Sequence, residues 1–189
     1  LGLARLADDA GDFEGAMSHF EAAIHSMPND YRPYLTMGAF LRGTGHHEEA
    51  LEVLQTALEL SQRAGADWRL LEELGLANDG AGKTDEAQKF LEQVVEFFTQ
   101  RQETDLPPAT ATALAALHER EGNLERAADL YRTLSDGHDR DNHGRYHYEA
   151  GRLLQQIGLP EEAHRMLTRA QALAGEDEEL ASEIAALLQ

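Results

Sequence analysis

Residues 45–58 read GHHEEALEVLQTAL and begin with a phrase that the chain uses five times: a glycine, four variable residues and an alanine. The copies are Gly11–Ala16, Gly45–Ala50, Gly82–Ala87, Gly122–Ala127 and Gly158–Ala163. Successive alanines are 34, 37, 40 and 36 residues apart. A period of this length is typical of repeat proteins in which each repeat is one supersecondary unit.

The residues that accompany the phrase predict two helices in each repeat. A large apolar residue follows each alanine by four positions, on the same face of a helix: Phe20, Leu54, Leu91, Tyr131 and Leu167. A small residue precedes each alanine by twelve positions: Ala4, Gly38, Gly75, Ala115 and Gly151. Each repeat is therefore predicted as helix, turn and helix, with the phrase glycine in the turn and small residues where the helices cross.

This pattern resembles the tetratricopeptide repeat. The matching residues include Tyr34, Met37-Gly38 and Ala50 in the second repeat, and Leu74-Gly75, Ala87 and Leu91 in the third. The first repeat keeps Ala16, Phe20, Ala23 and Pro28. The resemblance implies an all-α, right-handed α-solenoid of about five repeats plus a C-terminal capping helix, in a single domain. The predicted boundaries are 1–30, 31–67, 68–107, 108–143 and 144–177, with the capping helix at 178–189.

The longest spacing predicts an irregularity in the array. Forty residues separate Ala87 from Ala127, so extra residues are expected at about Arg101–Pro108. A helix that starts at Thr84 and continues to about Arg101 accounts for part of them. The chain also starts without methionine, at residues that already match the middle of a first helix. We therefore expect it to be a fragment of a longer protein.

The net charge and the composition exclude several classes of partner and of site. The net charge is −19, so the surface is expected to repel nucleic acid and anionic membranes. No apolar run approaches the ~18 residues of a membrane helix, and direct membrane insertion is not expected. The absence of cysteine excludes disulfides and thiolate metal sites. Arginine in preference to lysine favours a bacterial source. No targeting segment decides between cytoplasm and periplasm.

The resemblance implies that the first helices line a concave groove through repeat positions 2, 5, 9 and 12. Arginine occupies six of these positions: Arg5, Arg32, Arg42, Arg69, Arg145 and Arg152. Acids occupy four, and Leu35, Leu76 and Tyr148 supply apolar contacts. Because guanidinium pairs well with carboxylate, we expect an acidic or C-terminal peptide segment to bind there. The predicted contacts are Arg32, Leu35, Arg42, Arg69, Leu76, Arg145, Tyr148 and Arg152. Alternatively, the arginines only balance the acidic body.

Two stretches resemble chemical motifs. Asp79–Thr84 ends like a phosphate-binding loop, but Ala77 stands where the motif needs its first glycine, and a helix rather than a strand is predicted before it. Asp136–His147 contains five candidate metal ligands: His138, Asp139, Asp141, His143 and His147. A calcium loop that starts at Asp139 is not expected, because Ala150 occupies its twelfth position, where a bidentate glutamate is required. His143 and His147, with Asp139 or His138, could begin a zinc site. Our prediction is a polar inter-repeat loop without metal.

No recognisable nucleophile accompanies the nine histidines, and we predict neither an enzyme nor a cofactor. The predicted function is a non-catalytic scaffold that binds a protein or peptide segment in its groove. Two alternatives stay open. The chain could be a structural element that forms homo-oligomers through the ends of the array. It could also be the repeat region of a larger enzyme or of a secretion or assembly protein.

Overall fold

The computed structural model describes residues 13–62, 67–103, 105–137, 139–175 and 177–188. These residues form ten α-helices and a short 3₁₀ turn at Arg140–Asn142, and no strand occurs among them. The helices are α1 (Phe13–Ser26), α2 (Tyr31–Gly43), α3 (His47–Ser61), α4 (Trp68–Gly80), α5 (Thr84–Gln100), α6 (Pro108–Arg120), α7 (Leu124–Ser135), α8 (His143–Gln156), α9 (Pro160–Leu173) and α10 (Glu178–Leu187). The predicted all-α array of helical pairs is confirmed. The expected helix before Gly11 lies outside the described residues.

The chain divides into two compact units, an N-terminal unit of Leu1–Gln93 and a C-terminal unit of Val94–Gln189. In the N-terminal unit, α2 packs against α3 and α4, and α3 also packs against α4. In the C-terminal unit, α8 packs against α7 and α9, and α10 covers α9 and α8. Within the described residues, no helix has the length and apolar content that crossing a bilayer requires.

In the four pairs that the structure describes completely, the phrase glycine ends the first helix. Gly45 has a φ of 84°, in the left-handed region, and its N–H donates to Arg42 O at 3.0 Å. The next N–H, of His46, donates to Leu41 O at 2.8 Å. This pair of hydrogen bonds is the Schellman helix end, which glycine favours because it has no Cβ. Three other phrase glycines repeat it with φ values of 73°, 79° and 80°: Gly82, Gly122 and Gly158.

The alanine of the phrase and the leucine after it hold the two helices together. All five alanines are at most 2% exposed: Ala16, Ala50, Ala87, Ala127 and Ala163. The leucine four positions later lies directly on the small residue of the first helix. A Cβ added to Gly38 would be 2.5 Å from Leu54 Cγ, and one added to Gly75 would be 2.6 Å from Leu91 Cγ. The predicted close helix crossing is therefore confirmed in these pairs.

Helix α5 departs from this plan at its C-terminal end. It has 17 residues, whereas the other described second helices, α1, α3, α7 and α9, have 12 to 15. Its Schellman end has Gln102 instead of glycine, at a φ of 57°. The N–H of Gln102 donates to Thr99 O and that of Glu103 donates to Phe98 O, both at 3.0 Å. The predicted long helix and its insertion are thus present, and α5 ends at Gln100.

The first prediction concerns the helix crossing. In Gly75→Ala the added methyl group would overlap Leu91, which is fully buried. Overpacking costs ~1–3 kcal/mol, against a gain of ~1 kcal/mol in helix propensity. We expect a lower free energy of unfolding in urea denaturation. The control is Gly43→Ala, where nothing lies within 4 Å of the added Cβ. An equally destabilised control would contradict the crossing argument.

The second prediction concerns the end of α5. A side chain in the left-handed region costs about 1–2 kcal/mol. Glycine avoids this cost but loses about 0.5–1 kcal/mol of conformational entropy on folding. We therefore expect Gln102→Gly to stabilise the protein by about 0.5–1 kcal/mol. Thermal and urea unfolding measure the change. The matched control is Gln55→Gly in the exposed middle of α3, which should destabilise the protein by about 1 kcal/mol. A destabilising Gln102→Gly would show that the Gln102 side chain makes a contact worth more than the strain.

Candidate functional site

In the N-terminal unit, the first helices α2 and α4 are joined by polar contacts at two levels. Near their N-terminal ends, the Tyr31 hydroxyl donates to Asp67 Oδ2 at 2.9 Å. Further along, the Arg42 guanidinium donates to Glu73 through Nε at 2.6 Å and Nη2 at 3.3 Å. The Arg42 and Glu73 side chains are 29% and 16% exposed. Arg42 therefore already has a carboxylate partner within the unit.

Arg32 and Arg69 occupy equivalent positions in α2 and α4, two residues after an aspartate that caps the helix. Asp30 Oδ1 accepts the backbone N–H of Arg32, and Asp67 Oδ1 accepts that of Arg69, each at 3.0 Å. Both arginine side chains are exposed. The Arg32 guanidinium also donates to the Asp30 carboxylate, and this hydrogen bond lowers the pKa of Asp30 to about 2. The guanidinium carbon of Arg69 lies 4.6 Å from the centre of the Trp68 ring.

The two predicted apolar contacts of this unit lie on the same helices. Leu35, in α2, and Leu76, in α4, are both half-buried. Leu35 packs against the core cluster formed by Leu41, Leu54, Leu70 and Leu74. Part of each leucine surface therefore remains accessible. Leu35 follows Arg32 by three positions and Leu76 follows Arg69 by seven, so each leucine shares a helix face with its arginine.

In the C-terminal unit, the predicted arginines belong to a charge network across three first helices, α6, α8 and α10. Arg152 donates to Glu119 through Nη1 at 2.8 Å and Nη2 at 2.9 Å, and to Glu149 through Nε at 2.9 Å. Glu149 lies 3.3 Å from Arg145 Nε, and Arg145 Nη1 donates to Glu183 Oε2 at 2.5 Å. Three carboxylates thus surround two guanidinium groups.

The network shifts the pKa values of Glu119 and Arg152. The hydrogen bonds from Arg152 lower the pKa of Glu119 against the opposing effect of burial. The hydrogen bond to Glu119 is likewise the main reason that the pKa of Arg152 is raised. Both groups are therefore held in their charged forms, and the network orders the facing sides of α6, α8 and α10.

Tyr148 lies beneath this network and is buried rather than exposed to solvent. It is 8% exposed and packs with Leu167, Leu180 and Ile184 in the core that α10 completes. Arg145 is the neighbour on its outer side, with the guanidinium carbon 5.2 Å from the ring centre. Burial is the main reason that the pKa of the Tyr148 hydroxyl is raised. The contact offered by Tyr148 is therefore mainly internal.

The carboxylates that hold these arginines were not among the predicted site residues. Glu73, Glu149 and Glu183 lie outside repeat positions 2, 5, 9 and 12, whereas Glu119 is one of the four acids at these positions. The sequence contains one signal for these ion pairs, which is the number of residues between the two opposite charges. Opposite charges 31 to 38 residues apart, on consecutive first helices, are within reach of each other: Arg42 and Glu73, Glu119 and Arg152, and Arg145 and Glu183.

The candidate metal ligands between α7 and α8 have other partners. Asp139 Oδ2 accepts from the Tyr146 hydroxyl at 2.5 Å and from Asn142 Nδ2 at 3.0 Å. His143 Nε2 lies 3.0 Å from Gly137 O, and His147 is 9% exposed, with Nδ1 3.4 Å from Met166 Sδ. Asp141 is exposed, and His138 lies outside the described residues. Within the ranges that the structure describes, no three His, Asp or Glu side chains are grouped to hold a metal ion.

The resemblance of Asp79–Thr84 to a phosphate-binding loop is explained by the helix end. Gly82, with a φ of 73°, terminates α4, and Thr84 begins α5. The N–H of Gly82 and the N–H of Lys83 donate to Asp79 O and Asn78 O within the same turn. The structural interpretation of this stretch is therefore confirmed.

Comparison with known proteins finds one family model that matches part of the chain and several solved structures of similar fold. Residues 31–100 match a family model described as tetratricopeptide repeat. None of the curated proteins compared with the chain matches it. Among solved structures, MamA of Desulfovibrio magneticus RS-1 has a TM-score of 0.74 at 18% identity, covering 94% of this chain and 94% of that chain. YrrB, described as a TPR protein with an unusual peptide-binding site, has a TM-score of 0.70 at 20% identity, covering 97% and 88%. The pilF protein of Pseudomonas aeruginosa has a TM-score of 0.73 at 22% identity, covering 97% and 78%.

At these identities the structural likeness shows a shared fold. The family model spans two successive helical pairs, α2–α3 and α4–α5. The pairs that follow carry the same glycine-to-alanine phrase, with Gly122 and Gly158 in the same left-handed conformation. Residues 31–100 therefore match the tetratricopeptide repeat, and the helical pairs that follow continue the same fold.

Proposed function

We propose that this chain is a non-catalytic scaffold that binds an acidic segment of another protein on its first helices. The observation that carries the proposal is the equivalent placement of Arg32 and Arg69, which are exposed at the same position of successive first helices. The hydrogen bond from Tyr31 to Asp67 ties the N-terminal ends of these two helices together. It therefore brings the two arginines to the same end of one surface.

The chemistry of this surface suits a carboxylate ligand. The Arg32 guanidinium uses Nε and Nη2 for Asp30, which leaves Nη1 without a partner among the described residues. Because a guanidinium has five N–H donors, a second carboxylate can bind without displacing the first. Leu35 and Leu76 add half-buried apolar surface on the same helices. A segment with alternating acidic and apolar side chains matches this combination.

Arg42, Arg145 and Arg152 enter the proposal in a different role. Each already pairs with a carboxylate on a neighbouring first helix of its own unit. A ligand carboxylate at these positions has to share or replace an internal one. We therefore propose Arg32 and Arg69 as the main contacts and Arg42 as a group that orders the same surface of the N-terminal unit. Arg145, Arg152 and Tyr148 order the first helices of the C-terminal unit.

A binding experiment tests the proposal. The probe is a fluorescently labelled twelve-residue peptide of alternating glutamate and leucine with a free C-terminus, followed by anisotropy. In Arg32→Gln/Arg69→Gln we expect Kd to rise about tenfold or more, the equivalent of losing about 1.4 kcal/mol. The matched control is Arg126→Gln/Arg165→Gln, which removes the same charge from exposed positions of second helices. Equal weakening in both variants would indicate general electrostatics and contradict the proposal.

Self-association is the alternative that the same samples can test. Light scattering over a hundredfold range of concentration distinguishes a monomer that binds the peptide from an array that assembles with itself. A concentration-dependent mass that the Arg32→Gln/Arg69→Gln variant leaves unchanged, with no peptide binding, would favour the structural alternative.

A pH measurement tests the ordering role of the charge network. Because the pKa of Glu119 is lowered from its ordinary 4.5 in the folded state, its contribution is present above that pH and is lost as the pH falls. We expect Glu119→Gln to be less stable than the wild type at pH 7 and to lose less stability between about pH 5 and 3. Urea denaturation across this range measures the difference. Glu52→Gln, at an exposed position of α3, is the control and should keep the wild-type slope.

A further inference from the structure

A second surface of the C-terminal unit has the features of a docking site. A cleft of about 520 Å³ lies between the C-terminal end of α5 and helix α7. Three half-buried apolar side chains line it: Val95, Leu106 and Leu130. Its volume is within the range of about 300–1,000 Å³ that is usual for ligand sites in proteins. The cleft is formed by second helices and a connecting segment, whereas the proposed carboxylate-binding surface belongs to first helices.

The cleft depends on the irregular part of the array. Helix α5 continues to Gln100 and ends in the Schellman turn at Gln102, so Val95 and Thr99 extend one wall. After this turn the chain returns to the core, where Leu106 packs with Leu130 against the cluster of Ala111, Leu134 and Tyr146. The floor of the cleft is therefore an extension of the hydrophobic core.

The charged side chains that line the cleft have one sign. Glu103 and Asp129 both line it, and both are exposed. Arg132 lies 3.4 Å from Asp129 but is also 3.9 Å from Glu162, on the next second helix. Arg101 is held elsewhere, over the Phe97 ring at 3.4 Å and with Nη1 donating to Phe97 O. Among the described residues that line the cleft, none is a lysine or an arginine.

We propose that this cleft binds a protein segment in which a branched apolar side chain is adjacent to a lysine or arginine. The apolar side chain would contact Val95, Leu106 and Leu130, since these provide the half-buried surface. The cation would lie between Glu103 and Asp129, because two exposed carboxylates beside an apolar surface favour a positive group over a neutral one. The partner surface is thus basic and apolar, opposite in charge to the segment proposed for the first helices.

The test uses the whole chain and a labelled peptide of alternating leucine and arginine, with binding measured by anisotropy at physiological ionic strength. Thr133 is exposed at the cleft on α7, and Thr133→Trp would fill the cleft without entering the core. Its matched control is Thr56→Trp on α3, because Thr56 and Thr133 each donate to the carbonyl four residues earlier and both are exposed. We expect Thr133→Trp to raise Kd about tenfold or more, and Thr56→Trp to leave it within a factor of about two.

A second pair of variants tests the charges. Glu103→Gln/Asp129→Asn should weaken binding by about tenfold, whereas Glu52→Gln/Glu59→Gln removes the same charge from exposed positions of α3 and should have little effect. A peptide with alanine in place of leucine should bind more weakly than the original. Equal effects of cleft and control variants, or equal binding of the alanine peptide, would show attraction to the acidic surface in general and would overturn the proposal. The Arg32→Gln/Arg69→Gln variant should bind this peptide normally, so the two proposals can fail independently.

Discussion

The close crossing of the two helices in each pair is the constraint on which the rest of the structure depends. At Gly38 and Gly75 there is no room for a Cβ, because Leu54 and Leu91 occupy the space that it would need. The phrase glycine fixes the chain reversal that precedes this contact, since its positive φ allows the first helix to end within one turn. Once the pair is set, the outward positions of the first helices follow from helical periodicity. The arginines and their partners are placed by that geometry.

Much of the fold could be predicted from local signals. The left-handed glycines, the small crossing residues and the apolar positions after each alanine determine where helices begin, end and touch, and these are properties of single residues. The burial of Tyr148 could not be predicted in this way. Its position in the repeat points toward the proposed groove, but α10 covers it through Leu180 and Ile184. Whether a side chain is exposed depends on the following helix as well as on its own.

The arginines of the candidate site could be predicted from the sequence, whereas the carboxylates that pair with them could not. Helix position decides which side chains point outward, and it identified Arg32, Arg42, Arg69, Arg145 and Arg152. It does not decide which carboxylate a long side chain reaches, because that depends on rotamers and on the neighbouring helix. Glu73, Glu149 and Glu183 therefore appear only in the structure, where they hold three of the arginines. The remaining two, Arg32 and Arg69, are exposed and have only local partners, and this difference separates the proposed binding groups of the N-terminal unit from its ordering group, Arg42.

The small residue and the large residue of each described crossing come from the same repeat, and this has a consequence for recombination. Gly38 receives Leu54, Gly75 receives Leu91 and Gly151 receives Leu167, so the steric match is complete within each pair. In the fourth pair that the structure describes completely, Ala115 and Tyr131 take the corresponding places and belong to one core cluster. A repeat could thus be duplicated, deleted or exchanged as a whole without breaking its internal fit. Recombination between the two helices would break the match where the Ala115–Tyr131 pair is involved, because it would join a glycine to Tyr131 or Ala115 to a leucine. The natural unit of exchange in this protein is therefore the matched helical pair.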